Sequence, residues 1–118
     1  MHTYKLRFFF DNGILLWSAN ENAREKYNYP IDAKLLPISD SLKNEIGSMI
    51  DWYDSSTNQE YPPDSPIWKE EECQKFNNAK KILCKKIVQE LGTDYLVIDE
   101  SEDLHELKES IFPMPNKF

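Results

Sequence analysis

YKLRFFFDNGILLW, residues 4–17, is the stretch whose reading decides the fold. Tyr4, Leu6, Phe8 and Phe10 alternate with Lys5, Arg7 and Phe9, which is the period of a half-buried strand. Asp11-Asn12-Gly13 is a hairpin signal, because Asn-Gly tolerates the positive φ angles of a tight primed turn. Ile14 to Trp17 then reads as the returning strand.

Working outward, Ser18 opens a capping box with Glu21, ahead of a short helix from Asn22 to Tyr27. Tyr29-Pro30 ends that helix, since the residue before proline avoids the helical region. Residues 30–38 read as a loop held down by Leu35, Leu36 and Ile38. Ser39 caps a second helix, in which Leu42, Ile46, Met49, Ile50 and Tyr53 fall on one apolar stripe. Residues 55–66 contain three prolines and read as a long ordered loop pinned by Tyr61 and Trp68. Ser65-Pro66 suits a cap and first turn, with Glu70, Glu71 and Glu72 favourable to the helix dipole. Phe76, Ala79, Leu83, Ile87 and Leu91 form the buried stripe of this third helix, and Lys80, Lys81, Lys85 and Lys86 cover its exposed face. Gly92 ends it. Tyr95 to Asp99 (YLVID) is a compact strand, and Ser101 begins a last acidic helix with Leu104, Leu107 and Ile111 facing in. Residues 113–118 are expected to fray. The expected fold is α+β: a small antiparallel sheet, made of the N-terminal hairpin plus the late strand, with three to four helices packed on it. Residues 1–118 are expected to form one domain, its size being usual for one.

The 118 residues carry 14 basic and 21 acidic groups, a net charge of −7. Phosphate binding needs a basic footprint, so neither nucleic acid nor an anionic membrane is an expected direct partner. The imbalance is concentrated: residues 31–66 and 92–118 each carry a net −5, and residues 67–91 carry +2. The first ten residues lack the apolar run and small-residue cleavage site of a signal peptide. No stretch approaches the roughly 20 apolar residues of a membrane helix. Cys73 and Cys84, eleven residues apart, fit neither a zinc site nor a redox pair, and read as reduced, packed thiols in a cytoplasmic protein.

Catalytic signatures are missing. Gly-rich phosphate loops, GxSxG, HExxH and Walker patterns do not occur. His105 has Asp103 and Glu106 beside it but no matching nucleophile in the local sequence. Asp51 and Asp54 sit one turn apart, a spacing common on any exposed helix face. Asp94, Asp99, Glu100, Glu102 and Asp103 cluster oxygens without the alternating spacing of a calcium loop. No catalytic residue, metal or cofactor is therefore expected. An enzyme would need Tyr95, Asp99 and His105 to converge on a pocket; an adaptor or regulator would need only an acidic binding face. Trp17 reads as core. Trp52, at the rim of its stripe beside Asp51 and Tyr53, reads either as core packing or, with its acidic company, as part of a binding patch.

LWSAN (16–20), LPIS (36–39), DWYD (51–54), YPPDSPIW (61–68) and ECQKFN (72–77) are similar to segments of small bacterial proteins of one family. In size and charge the chain resembles immunity proteins of polymorphic toxins, including contact-dependent growth-inhibition systems. That resemblance implies a monomeric cytoplasmic protein whose partner is the C-terminal domain of a cognate toxin, a basic protein of the nuclease kind. A nuclease is basic where it grips phosphate, so carboxylates complement it and aromatic side chains supply a desolvated centre. The expected contact residues are Asp51, Trp52, Asp54, Glu60 and Tyr61, with Glu100, Glu102 and Asp103 as a second edge.

Overall fold

The computed structural model describes residues 2–61 and 65–107. Its elements run β1 (Tyr4–Asp11), β2 (Ile14–Ser18), α1 (Glu21–Tyr27), a 3-10 turn (Ala33–Leu35), α2 (Asp40–Asp54), α3 (Glu70–Leu91) and β3 (Tyr95–Asp99). Asn12 and Gly13 take φ of 49° and 74° and close the β1–β2 hairpin, as the Asn-Gly pair requires.

The α+β class is as expected, but the sheet is mixed where an antiparallel one was expected. Its order is β2-β1-β3, with β3 parallel to β1 and Leu6 opposite Val97. A parallel neighbour demands a crossover of a dozen residues or more. The chain from Ala19 to Asp94 is that crossover, and it carries all three helices. Leu96-Val97-Ile98, apolar at every position, suits a parallel strand with apolar contacts on both faces better than a half-solvated antiparallel one.

One face of the sheet packs on the helices. Leu6, Phe8, Leu16 and Tyr95 are buried there with Leu42, Ile46 and Met49 of α2 and Phe76, Leu83 and Ile87 of α3. The hydroxyls of Tyr27 and Tyr95 meet inside this core at 2.5 Å, beside the ring of Tyr4. Trp17 is buried too, as expected, but it pairs with Arg7 across the hairpin and so lies on the opposite face. There it stacks on Phe9 at 5.0 Å, touches Tyr29, and donates its indole N–H to the Phe9 carbonyl.

Helix starts depart from the expectations in instructive ways. Ser18 is not a cap: it ends β2, and its hydroxyl donates to the Asn28 carbonyl. Asn20 caps α1 instead, accepting from the Ala23 N–H. Ser39 caps α2 as expected, and Gly92 ends α3. α3 begins at Glu70, not at Pro66, and its N-cap Lys69 offers no side-chain acceptor. The orphan N–H of Glu70 is taken by the Glu106 carboxylate at 2.9 Å, from the far end of the chain.

That long-range cap belongs to the largest departure. Residues 101–107 form no helix but an extended strap across α3, while Ile111 and the tail at 113–118 lie outside the described residues. Asn77, 2% exposed, exchanges two hydrogen bonds with the backbone of Leu104, both at 2.8 Å. Lys80 was expected on the solvated face but is 1% exposed, and its ammonium donates to the Glu102 carbonyl (2.9 Å) and to Asp103 (3.1 Å). A buried cation is tolerable only when paired and hydrogen-bonded, and the strap supplies both. In exchange, α3 satisfies backbone groups that a terminal helix would have satisfied internally.

Glu70 and Glu106 close the clamp reciprocally, the Glu106 N–H donating to Glu70 at 2.8 Å. This bond, helped by Gln74 and His105, holds the Glu70 carboxyl down at about 2 against an ordinary 4.5. A depressed folded-state value means the contribution is complete above pH 4.5 and is lost as pH falls toward 2. Across that window the Glu106 amide is expected to lose hydrogen-exchange protection before the amides of β1, as followed by NMR. A Glu106 amide as protected at pH 2 as at pH 6 would show that the carboxylate does not hold the strap.

Candidate protein-binding site

Tyr53, in the last turn of α2, lies beside Asp54 and lines a cleft with Glu100, Glu102 and Asp103. Its ring stacks on Phe10 of β1 at 4.7 Å and 11°, and leans on Phe76 of α3. Partial burial, then the nearby carboxylates of Asp11 and Asp54, push its phenol above the ordinary tyrosine value. Negative charge thus converges on this ring from the hairpin turn and from the end of α2.

Beside Tyr53 the surface opens into a cleft of about 260 Å³, with Phe9, Phe10, Tyr53 and Leu104 as apolar walls and Glu100, Glu102 and Asp103 along the strap. The cleft exists because the strap passes the ends of β1 and β3 before lying down on α3. Tyr53 and residues 100–104, half the chain apart in sequence, therefore meet in one cleft.

The acidic groups around it are not equivalent. Glu100 is bound by Arg7 at 2.7 Å, and Arg7 also reaches the hydroxyl of Tyr29. Asp103 is taken by Lys80 (3.1 Å) and Lys81 (3.8 Å), and the Lys80 hydrogen bond is the main cause that lowers its carboxyl below the ordinary aspartate value. Glu102 contributes only its carbonyl to Lys80. The carboxylates of Glu102, Asp51 and Asp54 are exposed and ion-paired to no cation among the described residues.

The other residues of interest lie apart from the cleft. Trp52 turns inward: its indole N–H donates to Glu72 at 2.7 Å, and its ring meets Phe76 edge-on and Trp68 at 5.8 Å. Glu60 is exposed and Tyr61 half-buried on the loop after α2, where both N–H groups donate to the Asn58 side chain. Ser56 to Ile67 and Asn58 to Ser65 close the base of that loop. Sequence reading put Tyr53 in the apolar stripe of α2 and so passed over it. Phe9, Phe10 and Asp11 were read only as strand and turn. A stripe residue at the last turn of a helix, beside an unpaired carboxylate, was the available signal.

Tyr95, Asp99 and His105 have separate partners: Tyr27 inside the core, Ser101 on the strap, and Glu70 at the start of α3. No group of three or more His, Cys, Asp or Glu side chains could hold a metal ion among the described residues. Burial is the main cause that raises both cysteines, Cys84 to about 11. No described helix is long and apolar enough to cross a membrane. A second groove, of about 640 Å³, runs between β2 and α2 past Ile14, Ile31 and Ile50, but its charged members, Asp32, Asp40, Lys34 and Lys43, balance.

These features define a small α+β domain with an acidic, aromatic-floored surface cleft. The family model described as Serratia CdiI immunity protein-like matches residues 6–102, and the chain belongs to that family. This bears out the resemblance to contact-dependent growth-inhibition immunity proteins. No curated protein matches the chain. The matched span contains both the hairpin and the strap as far as Glu102, that is, most of the cleft.

Since Trp52 is part of the packing behind the cleft, Trp52→Ala is expected to cost about 3 kcal/mol of stability by removing a large, half-buried ring. Urea unfolding measures it. A loss under about 0.5 kcal/mol, the range of a surface substitution, would mean the indole is not part of the packed body.

Proposed function

We propose that this chain is an immunity protein that binds and neutralises the C-terminal domain of a cognate basic toxin, of the nuclease kind, as a monomer in the cytoplasm. The observation that carries this reading is the meeting of three exposed carboxylates, Glu100, Glu102 and Asp103, with packed aromatics in one open cleft, in a member of an immunity-protein family. In this reading Asp51, Asp54 and Glu102 stand where phosphates would stand against the toxin's basic surface. Tyr53 and Phe10 offer the desolvated centre on which an arginine or an aliphatic stem packs. Glu100 and Asp103 form the second edge, tied to Arg7, Lys80 and Lys81 and so held in fixed positions. Glu60 and Tyr61 extend the contact along the loop, and Trp52 supports Tyr53's turn of α2 from inside.

The first test is growth. Cells producing the C-terminal domain of the toxin encoded next to this gene are expected to grow only when this chain is co-produced, and the two proteins to co-purify. Continued arrest, with no complex recovered, would overturn the reading.

The second test separates the acidic groups. Reversing the unpaired Asp54 and Glu102 to lysine is expected to slow association about tenfold or more at low salt, and to flatten the salt dependence. Surface plasmon resonance across roughly 0.05–0.5 M salt reads both effects. Unchanged rates and an unchanged salt slope would remove the cleft from the interface.

A further inference from the structure

The two edges of the sheet are finished differently. Along β2 the outward backbone groups of Leu16 and Ser18 are already taken, by the Ile31 N–H at 2.9 Å and the Tyr29 carbonyl at 2.8 Å. Along β3 no described residue does the same. Tyr4 donates to Asp94 and Glu100 donates to Phe8, which fixes the parity of the parallel ladder: the groups of Leu96 and Ile98 point to β1. The N–H and C=O groups of Val97 and Asp99 therefore point outward, with no partner among the described residues.

Unpaired strand edges are templates for another strand, and natural proteins cover or charge those they do not use. Here no described residue pairs with the edge, and an exposed apolar side chain lies on the strand itself. Ile98 is 38% exposed on the helix-free face, and Val88 of α3, one turn from the half-buried Cys84, is 44% exposed. Ile98, on β3 itself, is a large apolar side chain that a strand laid along β3 would cover.

The charges select the occupant. Asp94, Asp99 and Glu102 line this edge and its exit, and Glu100 is the only one of the four acids there with a described cation, Arg7. A second copy pairing antiparallel about Val97 would set Asp94 opposite Glu100 of its twin at both ends, and like charges directly opposite are destabilising. A strand bearing lysine or arginine meets the same groups favourably.

We infer that the open edge of β3 receives an extended strand of the basic partner domain, whose backbone pairs with Val97 and Asp99 while its cations face Asp94, Asp99 and Glu102. This deepens the proposed function and rests on it, adding main-chain pairing to the charge contact at the adjacent cleft. Glu100 and Glu102, which line the cleft, follow directly on β3 in the chain.

Hydrogen exchange on the full chain, alone and with the toxin domain encoded beside it, tests the inference. The Val97 and Asp99 amides are expected to exchange freely in the chain alone and to slow at least tenfold in the complex. A complex in which both exchange at their free rates would overturn the strand while leaving the immunity reading intact. Protection that is already present in the chain alone and grows with its concentration would place a second copy on the edge and overturn it too. Failure of any complex to form, with no rescue of growth, would remove both readings together. Val97→Pro gives an independent check, because the lost N–H points away from β1 and proline is tolerated on an edge. If its circular-dichroism melt stays near that of the parent, affinity for the toxin domain is expected to fall at least tenfold; unchanged affinity would overturn the inference.

Discussion

Everything in this fold depends on β1 having neighbours of opposite direction. Its antiparallel partner arrives through two residues of turn; its parallel partner arrives only after the long crossover from Ala19 to Asp94. Pairing β3 parallel to β1 obliges the whole helical content to lie between them in sequence, on one face, and leaves the other face to Phe9, Trp17 and Tyr29. It also delivers the chain, at Asp99, to the same end of the sheet as the hairpin turn. The acidic strap can then meet Asp11 and the end of α2.

The strap is what turns nearby segments into a cleft. Its geometry is governed by polar groups that α3 buries, namely Asn77 and Lys80, and by the carboxylate of Glu70. Each binds the strap's backbone, so the identities of residues 102 and 104 matter less than their peptide groups, whereas Glu106 also gives its carboxylate to the Glu70 N–H. This arrangement divides the acidic residues into two populations. Some carboxylates are consumed in holding the strap, whereas others are left to the solvent and to a partner, and a count of net charge cannot tell them apart.

How much of this was legible in the sequence follows from the range of each interaction. The hairpin, the cap at Ser39, the α2 stripe and the end of α3 at Gly92 are local, and their residues announce them. The direction of β3 is not local: YLVID is apolar enough for either pairing, and only the crossover decides. Lys80 looked like a solvated lysine because its periodic neighbours Lys81, Lys85 and Lys86 are solvated; its burial depends on residues 102–103 arriving from outside the helix. Residues 101–107 have a helical pattern of leucines, yet the backbone acceptors and donors offered by α3 outweigh that local preference. The acidic segments were readable as a pair, but the aromatic floor between them was not. Tyr53 and Phe10 are joined only by the docking of α2 against β1.

The hydroxyl contact between Tyr27 and Tyr95 has a bearing on how the chain avoids misassembly. Strands whose apolar residues alternate cleanly are aligned by the demand to keep one side dry, but Leu96, Val97 and Ile98 would satisfy that demand in more than one alignment. A slide of β3 by two residues would keep its sidedness and move the Tyr95 oxygen by about 6.6 Å. That would leave both buried hydroxyls without each other at a cost of about 1–3 kcal/mol each. The tyrosine pair thus acts as a detent: it makes one alignment of the final strand distinctly better than its neighbours, where the aliphatic residues alone would leave several nearly equal.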